Sequence, residues 1–467
     1  MNEYLAKALE PAGVIIESVI AEAAPLECVV LVEDRFDADV RFANNSTTTN
    51  GIRRERRVIV AVFHDHDGGR AVGIASRSGQ VDARELVEAT RAEARRGAPA
   101  TDASSLISSS AVASDFDQAP GETDLSLFGS LLGDLGDCFA RARSAKQVLA
   151  GFATHEVETV YLGTSTGIRL RHEQPTGSFE LVARDSTGIA STWVGRGTEN
   201  FADIEANAIY DHLAERLRVS TNKIDLPAGR YEVILPPDAT ADLVVDLSGA
   251  MSGREAEDGG NVFSRGPGET QIGERLTDVP FELSSDPSLP GISCAPFLMT
   301  AASSADVSIF DNGAPLRATN WIRGGVLEQL CYHRAGARRS GRLFCPPIDN
   351  LRLELPGATK DLDDLIRSTK RALLLTCLWY IREVDPATLL LTGLTRDGVY
   401  LVEDGEIVGA VNNFRFNESP LDMLRRVSEV GLATRALSRE SGEWMNRTEM
   451  PPLRVEEFNM SSVSRAI

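Results

Sequence analysis

The sequence predicts an α+β chain: an N-terminal α/β unit and a helix–meander–helix segment, followed by a mainly antiparallel β C-terminal domain with a core helix. Three observations predict it. Short apolar or alternating stretches, each closed by turn residues, recur through most of the 467 residues. A few segments instead repeat apolar residues at steps of three and four. One helical segment, entered through Pro236 and Pro237, stands among the C-terminal strands.

Residues 1–97 read as the first unit. Alternation over 27–32 and the apolar run 58–63 predict strands, and the polar stretch 44–51 between them predicts a turn region. Asp82 and Glu85 have capping-box spacing and open a helix to about Arg96. From Gly97 to Gly121 the chain turns rich in Ala, Ser, Asp and Pro and reads as a linker or long loop. The second unit, 122–222, opens with a helix over about 124–149, because Leu125, Phe128, Leu132, Leu135, Phe139 and Ala142 share one face. Four short strands are expected over 155–194, punctuated at 165–167, 175–177 and 185–188. An amphipathic helix over about 201–219 closes the unit.

Residues 225–230 read as a hinge, and 226–467 as the third domain. Strands are expected at 231–235, 307–310, 326–332, 351–355, 389–394, 399–403, 407–411 and 454–458, with Asp404-Gly405 as a hairpin turn. One helix is expected to start after Pro236-Pro237-Asp238. Another is expected over 419–430, with Ser419 as N-cap and Pro420 at its first position.

Composition excludes several function classes. Net charge is −20, which opposes nonspecific binding to a phosphate backbone. The arginines at 334, 338, 339 and 342 are the exception, and they read as a loop making surface pairs. No run of 18 apolar residues occurs, so no membrane span is expected. The N-terminus carries acids and no long apolar stretch, so it does not read as a secretory signal and a cytoplasmic location is expected. Cys28, Cys138, Cys294, Cys331, Cys345 and Cys377 are scattered without short spacings and read as reduced, buried thiols.

A search for chemistry along the chain finds no complete constellation. Of the six histidines, none is followed by a glutamate and a second histidine at helical spacing. His155-Glu156 is the nearest and sits on an expected strand. His64 and His66 share a strand face but offer only two ligands beside the turn residues Asp67-Gly68-Gly69. No GxSxG elbow occurs. Cys331 and His333 share a strand face, where a buried cysteine is the ordinary occupant. Gly195-Arg196-Gly197 and Gly266-Pro267-Gly268 match no phosphate loop. Asp361, Asp363 and Asp364 cluster at a helix start, where they complement the dipole.

Order and spacing nevertheless carry a resemblance. Residues 235–250 (LPPDATADLVVDLSGA) and 259–265 (GGNVFSR) are similar to the core helix and following loop of the TldD/PmbA proteins. Residues 398–405 (GVYLVEDG), 420–431 (PLDMLRRVSEVG) and 451–458 (PPLRVEEF) resemble the family's strand–turn, late helix and last strand. The resemblance covers about 230–460, and the N-terminal half by architecture only. It implies a heterodimeric metallopeptidase acting on unfolded or short peptides. In such a pair one subunit carries zinc on an HExxxH helix with a late cysteine, and the other carries no metal. This chain departs from the metal-bearing pattern. The matching window runs from Val245 and Asp246 to Gly249 and Ala250, with valine and alanine at the histidine positions and no cysteine after Cys377. The resemblance therefore implies a non-catalytic subunit without a cofactor of its own, paired with a TldD-like zinc-bearing relative and engaging a peptide substrate. The alternative is a metal-independent homodimer that binds peptides or a regulatory partner. A third reading is a peptidase with an unrelated nucleophile, Cys331 or a serine in 438–441.

Overall fold

The computed structural model describes residues 10–66, 68–108, 113–188 and 190–464. Three long antiparallel strands open the chain: β1 (Cys28–Ala43), β2 (Ser46–His66) and β3 (Gly69–Ser78). Asn44 and Asn45, both at positive φ (53° and 59°), form the two-residue turn between β1 and β2. The polar stretch expected as turn over 44–51 therefore contracts to two residues, and Ser46 already pairs with Ala43.

After the loop come α3 (Gly129–Ser144), β4 (Gln147–Thr164), β5 (Arg169–Asp185), β6 (Ser191–Thr198) and α4 (Ala206–Val219). The helices that precede them are α1 (Ala12–Ala23) and α2 (Ala83–Arg96). All six strands join one sheet in the order β3-β2-β1-β4-β5-β6. Because β1 pairs β4 along most of its length, the segments 1–97 and 122–222, expected as two units, are halves of one sheet.

The even positions of β1 face helices. Val30 and Val32 pack against α1 and α2, while Ala38, Val40 and Phe42 pack against α3 and α4. On the opposite face, Val29, Leu31, Ile59 and Leu162 pack against Leu106 of the loop and Phe297, Ile309 and Phe310 of the C-terminal half. Residues 100–107 of the stretch expected as a linker thus form a packed strap. The arginines at 334, 338 and 339 fasten it through the Ser105 carbonyl, the Ser104 hydroxyl and the Thr101 carbonyl, at 2.7, 2.6 and 2.8 Å. Arg342 instead donates to Thr270 at 3.3 Å.

Several expected elements are corrected. The helix expected to run to 149 stops at Ser144, and Leu149 is a core residue of β4. The four short strands are three long ones, because Pro175-Thr176-Gly177 runs straight through β5. Gly177 is there for close packing: an added Cβ would stand 2.9 Å from Thr198 and 3.0 Å from Phe201. The helix expected from 201 begins at Ala206, since Phe201 holds φ 62° with its N–H on the Thr198 hydroxyl at 3.0 Å. Residues 307–310 contribute a short 3-10 turn, Ile309–Asp311, rather than a strand. Of 326–332, only Val326–Leu327 is strand. The late helix is Pro420–Arg425, after which Val427–Val430 is strand. The helix α1 had no counterpart in the sequence reading.

The C-terminal half begins with β7 (Lys223–Ile224) and β8 (Gly229–Leu235), followed by α5 (Pro237–Gly249). A ten-stranded, mostly antiparallel sheet places β8 between Leu453–Val463 and Arg371–Leu375. A second, six-stranded sheet includes Glu282–Ser285 and Leu351–Glu354. The helix α5 lies in the large core between the two sheets. Among the described residues, no helix is long and apolar enough to cross a membrane.

Candidate functional site

The strand β8 delivers the chain to Pro236 and Pro237, whose fixed φ and missing N–H suit a helix start, and α5 follows. Leu243, Val244, Val245 and Leu247 are fully buried. On this apolar helix, Asp238, Asp242 and Asp246 recur at steps of four and form one acidic stripe.

The first two acids organise the segment 437–441. Asp238 accepts from the Leu437 N–H at 2.9 Å. Asp242, wholly buried, accepts from the Ser438 hydroxyl at 2.8 Å and the N–H groups of Arg439 and Glu440 at 2.7 and 3.3 Å. Its other oxygen accepts from the Leu378 N–H at 3.1 Å. These donors favour the charged carboxylate, but burial outweighs them and pushes the group up to about 7.

The segment so held carries Arg439 into the contact between β6 and the C-terminal half. Its guanidinium pairs with Asp397 at 2.6 Å and lies 4.2 Å over the Trp379 ring and 5.0 Å over the Trp193 ring. Asp397 in turn accepts from the Ser191 hydroxyl of β6 at 2.5 Å.

Asp246 is different. One of its oxygens, Oδ2, is sealed from solvent with no hydrogen-bond partner. Burial, then Glu440 and Glu383, push its carboxyl up to about 6. It opens on a cleft of about 510 Å3 that Gly249, Ala250, Glu255, Asp258 and Glu383 also line. Of the four positions that the sequence reads as a degenerate metal motif, Asp246, Gly249 and Ala250 share this cleft, while Val245 faces the core.

The donor set does not suit zinc. Val245 and Ala250 bring no lone pair, and among the described residues no group of three histidines, cysteines or acids could hold a metal.

Other candidates resolve into structural roles. The Cys331 thiol is buried and pushed well above its usual range, and His333 accepts the Gly336 N–H at 3.2 Å as a helix N-cap. Ser438 donates to Asp242 and accepts from the Ser441 N–H at 2.9 Å, with no histidine among its partners. His155 has both ring nitrogens engaged, by Thr123 and the Glu199 carbonyl, each at 2.8 Å. His64 and His66 lie with rings 6.3 Å apart, and Asp67 falls outside the described residues. Asp361 and Asp364 form a reciprocal capping box. Asp238 and Asp242 escaped sequence reasoning, although acids at steps of four on an apolar helix were the available signal.

Comparison with known proteins identifies the family and the fold. Residues 228–462 match the family model described as the PmbA/TldA metallopeptidase C-terminal domain. No curated protein matches. Three solved structures share the fold. TldE from Thermococcus kodakarensis is 17% identical, with TM-score 0.73, covering 96% of this chain and 99% of its own. A proposed modulator of a DNA gyrase from Thermotoga maritima is 16% identical, with TM-score 0.75 and the same coverages, 96% and 99%. A corresponding protein from Bacteroides thetaiotaomicron is 14% identical, with TM-score 0.72, covering 97% and 98%.

Proposed function

Because the chain belongs to the PmbA/TldD metallopeptidase family, we propose that it is a peptidase subunit without a metal site of its own, which pairs with a zinc-bearing relative to form the working cleft. One observation carries this reading. The three degenerate motif positions that reach the cleft, Asp246, Gly249 and Ala250, offer a single carboxylate where catalytic zinc needs about three protein ligands. The likeness in fold to a protein named TldE is consistent with it.

The same reading places the peptide along a strand edge. Leu378–Asp385 is an edge strand of the ten-stranded sheet, and its Glu383 lines the cleft. In this reading an added strand is held beside Tyr380 and Val384, both exposed, through main-chain groups with little regard to sequence, except at the Tyr380 N–H, which the Glu440 carboxylate already accepts at 2.8 Å. That suits trimming of unfolded or short peptides. In this reading zinc resides in the partner.

The test is reconstitution. The chain alone is expected to leave a short unstructured peptide intact, and the chain with its HExxxH-bearing relative to cleave it in a chelator-sensitive way. Full activity of the lone chain, insensitive to chelator, overturns the reading.

A further inference from the structure

Among the described residues two arginines are buried beyond nine-tenths, Arg56 at 4% exposure and Arg216 at 8%, and the fold treats them oppositely. Arg56 grips Asp34 through two bonds of 2.7 and 2.6 Å, the usual arrangement for a buried guanidinium. Arg216, on α4, has no carboxylate at ion-pairing distance among the described residues, and its Nε is sealed from solvent without an acceptor. A buried charge left unpaired is costly, so its persistence asks for a counter-charge. The acid that acts on it, Asp238, is already turned to the Leu437 N–H at 2.9 Å and to Arg196 at 3.5 Å. Arg196 is a second cation acting on Arg216, and the carboxylates of Asp203, Glu205 and Asp238 stand at the same cavity, yet none of them pairs with Arg216.

Arg216 lines a cavity of about 600 Å3 between α4, β6 and the start of α5, the size of a small-molecule site. Its walls are mixed: Trp193, Val194, Ile209 and Pro237 supply an apolar side, and Asp203, Glu205 and Asp238 bring carboxylates. Arg435 also lines it, held by the Gly291 carbonyl and by Asn446 at 3.4 Å, with its own Nε buried and unpartnered. The Tyr400 hydroxyl, within electrostatic reach of Arg216, is a further buried group without a partner.

We propose that this cavity binds a carboxylate carried on an apolar body, with Arg216 at its floor as the receiving fork and Arg435 on its wall. A planar monoanion matches the guanidinium fork, the apolar side of the wall accommodates the attached body, and Asp203, Glu205 and Asp238 oppose a phosphate dianion more strongly than a monoanion. The site lies at the opposite end of α5 from the acidic cleft and does not depend on the peptidase reading. Its ligand is either a free organic acid or the carboxyl end of a peptide.

Calorimetric titration of the full chain tests it with four probes: N-acetyl-leucine, an unstructured pentapeptide ending in leucine, the same pentapeptide amidated, and inorganic phosphate. The two free acids are expected to bind, the amide at least about ten-fold more weakly than its acid. Tighter binding of N-acetyl-leucine identifies a small acid as the ligand class, and tighter binding of the pentapeptide a peptide end. Arg216→Gln is expected to abolish binding and Arg435→Gln to weaken it. Should Arg216→Gln fail to fold, Arg435→Gln and the acid–amide pair still decide. Absence of acid binding, equal binding of the amide, tighter binding of phosphate, or a folded Arg216→Gln that binds like the parent each overturns the proposal.

Discussion

A carboxylate that accepts three backbone N–H groups and a hydroxyl inside the core, as Asp242 does, fixes the segments that bring those donors. Removing it in Asp242→Ala leaves the N–H groups of Leu378, Arg439 and Glu440 without their acceptor. We expect a loss of about 3–5 kcal/mol in denaturant unfolding, and a smaller loss for Asp242→Asn, which keeps one oxygen. Asp246 behaves differently, because nothing answers its buried Oδ2. Its carboxyl is raised from 3.8 to about 6, so the folded chain holds that proton more tightly than the unfolded chain does. The resulting stability is fully present below about pH 4 and lost as pH rises through about 6. Asp246→Asn is therefore expected to match the parent at pH 4 and to exceed it by about 1–2 kcal/mol at pH 8, read from urea unfolding at the two pH values. A variant less stable than the parent at pH 8 would show that Asp246 has a partner. The sequence singled out Val245, Asp246, Gly249 and Ala250, and the last three line one cleft. The clamp between Asp242 and Ser438 was not legible there, because it joins residues 196 apart in the chain.

Elements were legible where local chemistry decided them. Pro236-Pro237 announced α5, and Asp404-Gly405 announced its hairpin, with both residues at positive φ. Reading failed where packing overrode local signals. The apolar spacing of residues 419–430 suits a helix, yet β-branched Val427 and Val430 pair with Leu453–Val463 and end the helix at Arg425. The turn residues at 175–177 serve close strand packing instead of a turn. A similar close approach gives an element-scale prediction. Gly73 of β3 lies under α2, where an added Cβ would stand 2.1 Å from the Thr90 carbonyl oxygen and 2.5 Å from the Ala94 nitrogen. Since backbone cannot give way cheaply, Gly73→Ala is expected to destabilise by about 1–3 kcal/mol in thermal or urea unfolding. A neutral result would mean that α2 is not held against the sheet.

At the scale of the molecule, the strap and the network of Arg439, Asp397 and Ser191 join the N-terminal sheet to the C-terminal half that carries α5. The six cysteines belong to this buried framework. All are free and buried, and burial pushes the thiols of Cys28, Cys294 and Cys377 up to about 12. Native protein at pH 8 is therefore expected to resist iodoacetamide, and denatured protein to take six labels, counted by intact mass. Rapid labelling of one native thiol would place a reactive cysteine in the fold. The central claim concerns zinc, and metal analysis of the isolated chain tests it most directly. After incubation with zinc and exhaustive dialysis, the expected result is metal content far below one ion per chain. One tightly held zinc ion per chain, lost on changing Asp246, would contradict it.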